Sequence, residues 1–103
     1  MITMVCTMIV KPGTKKMFLD ALKTMVPLVR AEDGCISYGG FSDLQAEFSE
    51  QWYREDRITI IETWRDEEAL RAHWKAPHMD TYRKATRDLV ASKNIIFLKP
   101  EEP

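Results

Sequence analysis

The run ITIIETWRDEEALRAHWKAPH, Ile58 to His78, changes its period in the middle. Up to Trp64 the side chains alternate as on a strand, with Ile58, Ile60, Glu62 and Trp64 on one face. Beyond Asp66 the apolar positions follow a helical period, and Leu70, His73 and Trp74 share a face. Asp66 is a good N-cap, while Glu67 and Glu68 place negative charge in the first turn, where the helix dipole favours it. Ala76-Pro77 ends this helix, and Pro77 suits the first turn of another with the stripe His78, Tyr82, Ala85 and Leu89.

Upstream, Thr3 to Val10 alternate with apolar groups on both faces: Val5 and Ile9 on one, Met4, Cys6, Met8 and Val10 on the other. A strand with one solvated face would carry polar groups at every second position, so both faces are expected to be covered. Lys11-Pro12-Gly13 makes a turn, and Thr14 is the expected N-cap of a helix with the stripe Phe18, Leu22, Met25 and Val29. Pro27 should kink or restart that helix, and Gly34 should end it. A strand is expected over Ile36 to Asp43, where the adjacent Gly39 and Gly40 leave room for a bulge or a ligand. Phe48 to Tyr53, a turn at Glu55-Asp56 and Arg57 to Trp64 read together as a hairpin or one long bent strand. The last strand is expected over Asn94 to Leu98.

Four strands with two helical connections fit an α+β class, a ferredoxin-like split βαβ sandwich with helices on one sheet face. The apolar character of the other face predicts a partner subunit there, giving a homodimer in which the two sheets form a dimeric α+β barrel. With 103 residues, one domain spanning 1–103 is expected.

Fifteen basic and 16 acidic residues are mixed along the chain, which argues against nucleic acid or an acidic membrane surface as partner. Cys6 and Cys35 match neither a zinc motif nor a disulfide framework and are read as reduced thiols of a cytoplasmic protein. The apolar N-terminus lacks a preceding positive charge and is closed by Lys11-Pro12-Gly13, so no signal segment is expected. No run approaches the ~18 apolar residues that span a bilayer, and no membrane partner is expected.

The residues with chemical value gather at the period change. Glu62, on an apolar strand face, needs a donor or a cation, or its pKa rises; it either bonds to neighbouring groups or orients a histidine. His73 and His78, the chain's two histidines, sit on partly apolar helix faces. The bend at Pro77 can aim both at one pocket, where either could accept a proton near neutral pH. Their spacing of five turns about 140° on an ideal helix, unlike the i, i+4 pairs of helical metal sites, so no metal is expected. Trp52, Trp64, Trp74, Tyr38 and Tyr82 are read mainly as core that a flat ligand could also use as walls. Arg83, Lys84 and Arg87 read as a solvated face. The glycines form no dinucleotide or P-loop motif, so no cofactor is expected.

The set Glu62-x-Trp64, Ala69-Leu70, His73 and Pro77-His78, preceded by Lys11-Pro12-Gly13, Glu32-Asp33-Gly34-Cys35 and Tyr38, resembles the antibiotic biosynthesis monooxygenase family, and within it the bacterial quinol monooxygenases. The resemblance implies a dimeric ferredoxin-like barrel acting without metal or flavin on a phenol or hydroquinone with O2. It also implies His73 or His78 as base, Glu62 as orienter, and Trp64, Tyr38, Tyr82 and Met79 as substrate-contacting walls. Cys6 and Thr7 on the first strand stand where haem-degrading relatives carry an asparagine, which argues against haem. Two alternatives share the fold: an isomerase of a small dicarbonyl metabolite, and a non-catalytic protein binding a quinone or hydrophobic ligand.

Overall fold

The computed structural model describes residues 1–48, 50 and 52–102. In chain order the elements are β1 (Ile2–Val10), α1 (Lys15–Arg30), β2 (Cys35–Ser42), β3 (Arg57–Trp64), α2 (Glu67–Lys75), α3 (Pro77–Thr86), a 3-10 turn (Arg87–Leu89) and β4 (Val90–Leu98). The strands form one sheet in the order β2-β3-β1-β4, every neighbouring pair antiparallel. This is the ferredoxin-like α+β sandwich, with the helices on one face of the sheet.

That face is built by alternation. Met4, Cys6, Met8 and Val10 of β1 and Ile58, Ile60, Glu62 and Trp64 of β3 are all buried. Against them lie Phe18, Leu22, Met25 and Val29, the expected stripe of α1. Pro27 lies within α1, which runs unbroken to Arg30. Pro27 and Lys23 are both exposed, so water can replace the hydrogen bond that proline cannot give the Lys23 carbonyl. Thr14 does not cap the helix through its side chain; its hydroxyl donates instead to the carbonyls of Lys11 and Leu89.

The two glycines of β2 are not a bulge. The register shifts instead between Cys35 and Ser37, which leaves Ile36 as the extra residue and turns Tyr38 inward opposite Glu62. A Cβ on Gly40 would collide with Leu22 Cδ2, so this glycine lets α1 pack close to the sheet.

Between β2 and β3 the expectation of a strand fails. Ser49 and Gln51, within the predicted Phe48 to Tyr53, lie outside the described residues, and Phe48, Trp52 and Tyr53 belong to no strand. Trp52 is 87% exposed, contrary to its reading as core. β2 and β3 pair directly from Ser42 opposite Ile58, which leaves the intervening segment no sheet position. Asp43 fastens its ends, accepting from the Arg54 amide at 3.1 Å and lying 3.3 Å from Arg57 Nη1.

β4 begins at Val90 rather than Asn94, because Ser92 and Lys93 pair with Ile9 and Met8 although their side chains show no apolar alternation. On the outer sheet face, Val5 lies between Ile61 and Ile96, Phe41 pairs with Thr59, and Thr3 pairs with Thr63 and Leu98. Ile61, Ile96, Leu98 and Phe41 are all exposed. Among the described residues no helix is long and apolar enough to cross a membrane.

Candidate active site

Asp66 starts α2 as expected, its carboxylate accepting the Ala69 amide at 2.9 Å. The cap fixes the phase of the helix, so that Ala69, Leu70 and His73 face the sheet while Trp74 tilts outward against Phe97, ring centroids 5.9 Å apart. In α3 the inward residues are Met79, Tyr82 and Thr86. The predicted stripe is rotated: Ala85 is exposed, and Leu89 belongs to the 3-10 turn.

A turn after α1 supplies a third element. The amides of Glu32 and Cys35 donate to Val29 and Glu32, and Gly34 takes φ +82. A side chain at Gly34 would be strained in that conformation and would place a Cβ 2.5 Å from Ala69 Cβ, so the turn lies directly on α2. It delivers the Glu32 carboxylate to both histidines.

Glu32 Oε2 accepts from His73 Nδ1 at 2.7 Å and from His78 Nε2 at 2.9 Å. This assigns the His73 proton to Nδ1 and leaves the Nε2 lone pair on the other side of the ring, 3.7 Å from Glu62 Oε1. Glu62 in turn accepts the indole N–H of Trp64 at 3.0 Å. The Trp64 ring lies over the His73 ring with centroids 4.5 Å apart, so one tryptophan holds both the carboxyl and the imidazole.

Burial sets the protonation states. Glu62 is 1% exposed, and burial pushes its carboxyl up to about 7, helped by the charge of Glu32 and opposed by the Trp64 hydrogen bond. Burial lowers the pKa of His73, which is equally inaccessible, against the upward pull of Glu32, so its imidazole is neutral at pH 7. Tyr38 and Tyr82 are held well above the usual phenol range, again by burial first, and stay protonated.

A cavity of about 870 Å³ opens between the sheet and the α2–α3 pair. Of the residues predicted from sequence, Glu62, His73, Tyr38, Tyr82 and Met79 line it. Trp64 and His78 do not. Trp64 stands behind His73 and Glu62, and His78 borders a smaller groove between α1 and α3. The bend at Pro77 thus brings both histidines to one carboxylate rather than to one cavity. Cys6 and Met8 join the wall, as do Arg83 and Arg87, read from sequence as a solvated face; Lys84 pairs with Asp80 at 3.2 Å.

Sequence reasoning missed Glu32 as a site residue, although it lies in the quoted Glu32-Asp33-Gly34-Cys35 segment. Despite the five-residue spacing of the two histidines, Glu32, His73 and His78 present ligand atoms within 4.8 Å of one another and could hold a cation. The cluster is nevertheless satisfied as it stands, since two ring N–H groups converge on a single carboxylate oxygen.

Fold and cavity together define a ferredoxin-like α+β protein with an imidazole and a carboxyl on the wall of a largely apolar pocket. The chain belongs to the antibiotic biosynthesis monooxygenase family, whose model matches residues 1–85. It is 34% identical over 102 residues to the Escherichia coli protein described as "Probable quinol monooxygenase YgiN", covering 97% of this chain and 98% of that one. A Synechocystis protein described as uncharacterized, sll1783, is 30% identical over 82 residues, which are 80% of this chain and half of that one. Among solved structures, PA3566 from Pseudomonas aeruginosa superposes with a TM-score of 0.83 at 25% identity, covering 98% of this chain and 94% of that one.

Proposed function

We propose that this chain is a monooxygenase that oxidises a hydroquinone or a related phenol with O2 without a bound cofactor, its 103 residues forming one domain of a homodimer. The observation that carries the reading is His73: neutral, buried in the cavity wall, anchored through Nδ1 to Glu32 and presenting Nε2 beside Glu62. The similarity to the Escherichia coli protein described as a quinol monooxygenase supports the substrate class.

In this mechanism His73 Nε2 takes the phenolic proton, and the imidazolium that forms is stabilised by the Glu32 carboxylate 2.7 Å from Nδ1. Glu62, half protonated near neutral pH and 3.7 Å from Nε2, sets the polarity beside that proton. The electron-rich anion passes an electron to O2, and the two radicals recombine in a pocket lined largely by apolar side chains. One oxygen atom enters the ring. The other leaves as water with two hydrogens taken from the substrate, which supplies all the electrons.

Dimerisation is supported by the exposed apolar outer face formed by Phe41, Ile61, Ile96 and Leu98. Oxygen uptake by purified protein stripped of metals and flavins tests the oxygenase reading. Uptake with a hydroquinone that disappears in His73→Ala supports it. No uptake with any hydroquinone, or an undiminished rate in His73→Ala, sinks it. An isomerase acting from the same pocket would turn over without consuming oxygen.

A further inference from the structure

The mouth of the cavity is charged in one sense. Arg83, Arg87 and Lys93 all line it, and among the described residues none of the three forms an ion pair. Among the described residues of the wall, the only carboxyl is that of Glu62, which is deeply buried and engaged by Trp64. The chain as a whole carries a formal charge of -1, so three such cations at one opening are a local concentration and not a general property of the surface.

Each cation is placed by the fold. Arg83 Nη2–H donates to the Trp74 carbonyl at 2.9 Å, which holds the guanidinium between α2 and α3 with its other donors available. Arg87 follows directly where α3 gives way to the 3-10 turn. Lys93 sits opposite Met8 in the sheet and so leaves β4 on the cavity side. Their field reaches inward: the Arg83 charge acts on His73, and that of Lys93 acts on the Cys6 thiol. An apolar cavity with cations only at its opening matches a molecule that has a flat apolar body and an anionic end.

We propose that the substrate is an aromatic acid, a hydroquinone or phenol whose carboxylate is held by Arg83, Arg87 and Lys93 while its ring enters toward Tyr38 and His73. The identification of the ring as a hydroquinone rests on the function proposed above; the anionic end does not. Two guanidinium groups and an ammonium lining one opening offer a carboxylate several donors and net positive charge.

The test titrates the intact protein with a naphthalene carboxylate and with its neutral hydroxymethyl counterpart, read by tryptophan fluorescence or calorimetry. The acid is expected to bind on the order of tenfold tighter at low salt. That preference should shrink as salt is raised. It should fall to near parity in Arg87→Gln/Lys93→Gln, a double variant at exposed positions whose folding is checked by circular dichroism. Equal affinity for the two probes, or a preference unchanged in the double variant, overturns the inference. Oxygen uptake separates it from the oxygenase reading. Preferential binding of the acid without any oxygen uptake supports the anionic site and removes the oxygenase, whereas uptake that favours the neutral hydroquinone overturns the anionic site and leaves the oxygenase standing.

Discussion

The two faces of the sheet come from the same alternation and end in opposite conditions. On the helix side, Met4, Cys6, Ile60, Glu62 and Trp64 are covered, and the polar groups among them have protein partners or a cavity to face. On the other side, Val5, Ile61, Ile96 and Leu98 form an apolar surface without helices, interrupted by threonines of which Thr3 and Thr63 bond to each other at 3.0 Å. One face therefore holds a few polar groups at high electrostatic cost, which is where proton chemistry is possible. Among the described residues, the other holds no titratable group in its apolar centre and is suited to adhesion.

Disabling the helix-side face should give the largest effect. His73→Ala is expected to lower turnover by roughly 10²–10⁴, the usual contribution of a positioned general base, while leaving the proposed dimer unchanged in sedimentation. The outer face should respond in the reverse sense. Ile61→Lys buries a charge in the proposed dimer contact and is expected to weaken self-association by on the order of a hundredfold, measured by sedimentation equilibrium. If Ile61→Lys destroys proton transfer as fully as His73→Ala does, the two faces are not separable.

A finer division concerns pH. The Glu62 carboxyl is raised from 4.5 to about 7 on folding, so its contribution to stability is fully present below pH 4.5 and is lost as pH rises toward 7 and beyond. The lowered pKa of His73 acts in the opposite direction, removing stability as pH falls below 6.5. Glu62→Gln keeps an acceptor for Trp64 and removes only the first effect. Relative to the parent it should gain about 2 kcal/mol between pH 5 and pH 8, since each tenfold change in proton affinity corresponds to ~1.4 kcal/mol; denaturant titrations at both pH values measure it. A constant difference across that range would mean that Glu62 ionises in the fold as easily as in the unfolded chain.

The smallest effect should come from the Asp66 cap. Asp66→Ala is expected to cost about 1 kcal/mol in thermal or denaturant unfolding, with turnover reduced only as far as α2 loses its phase. A loss of turnover equal to that of His73→Ala would show that the cap sets the position of the base and not merely the stability of its helix.

Most of the helix-side face is legible in the chain. The alternation of Ile58, Ile60, Glu62 and Trp64 and the cap at Asp66 are local signals, and the structure reproduces them. Tyr38, Tyr82 and Met79 line the cavity, and the helix stripe beginning at Phe18 is buried throughout. Local signals fail where a position is set by contacts distant in sequence. Glu32 meets His73 and His78 across 41 and 46 residues, and nothing near Glu32 announces that meeting. The rotation of α3, which turns Met79 inward and leaves Ala85 exposed, depends on where Pro77 starts the helix and on how α1 packs against it. Trp52 departs from its expected burial for a related reason: an aromatic residue is usually covered, but β2 and β3 close their pairing without its segment.

The contact between Gly34 and Ala69 sets the tolerance of the proposed base. Because the turn packs on α2 where Gly34 meets Ala69, and the Arg65 amide donates to the Gly34 carbonyl at 2.8 Å, the main-chain segments that carry Glu32 and His73 are held in a fixed relation. The imidazole is thus aligned in advance, and little reorganisation would be left for the proposed proton transfer.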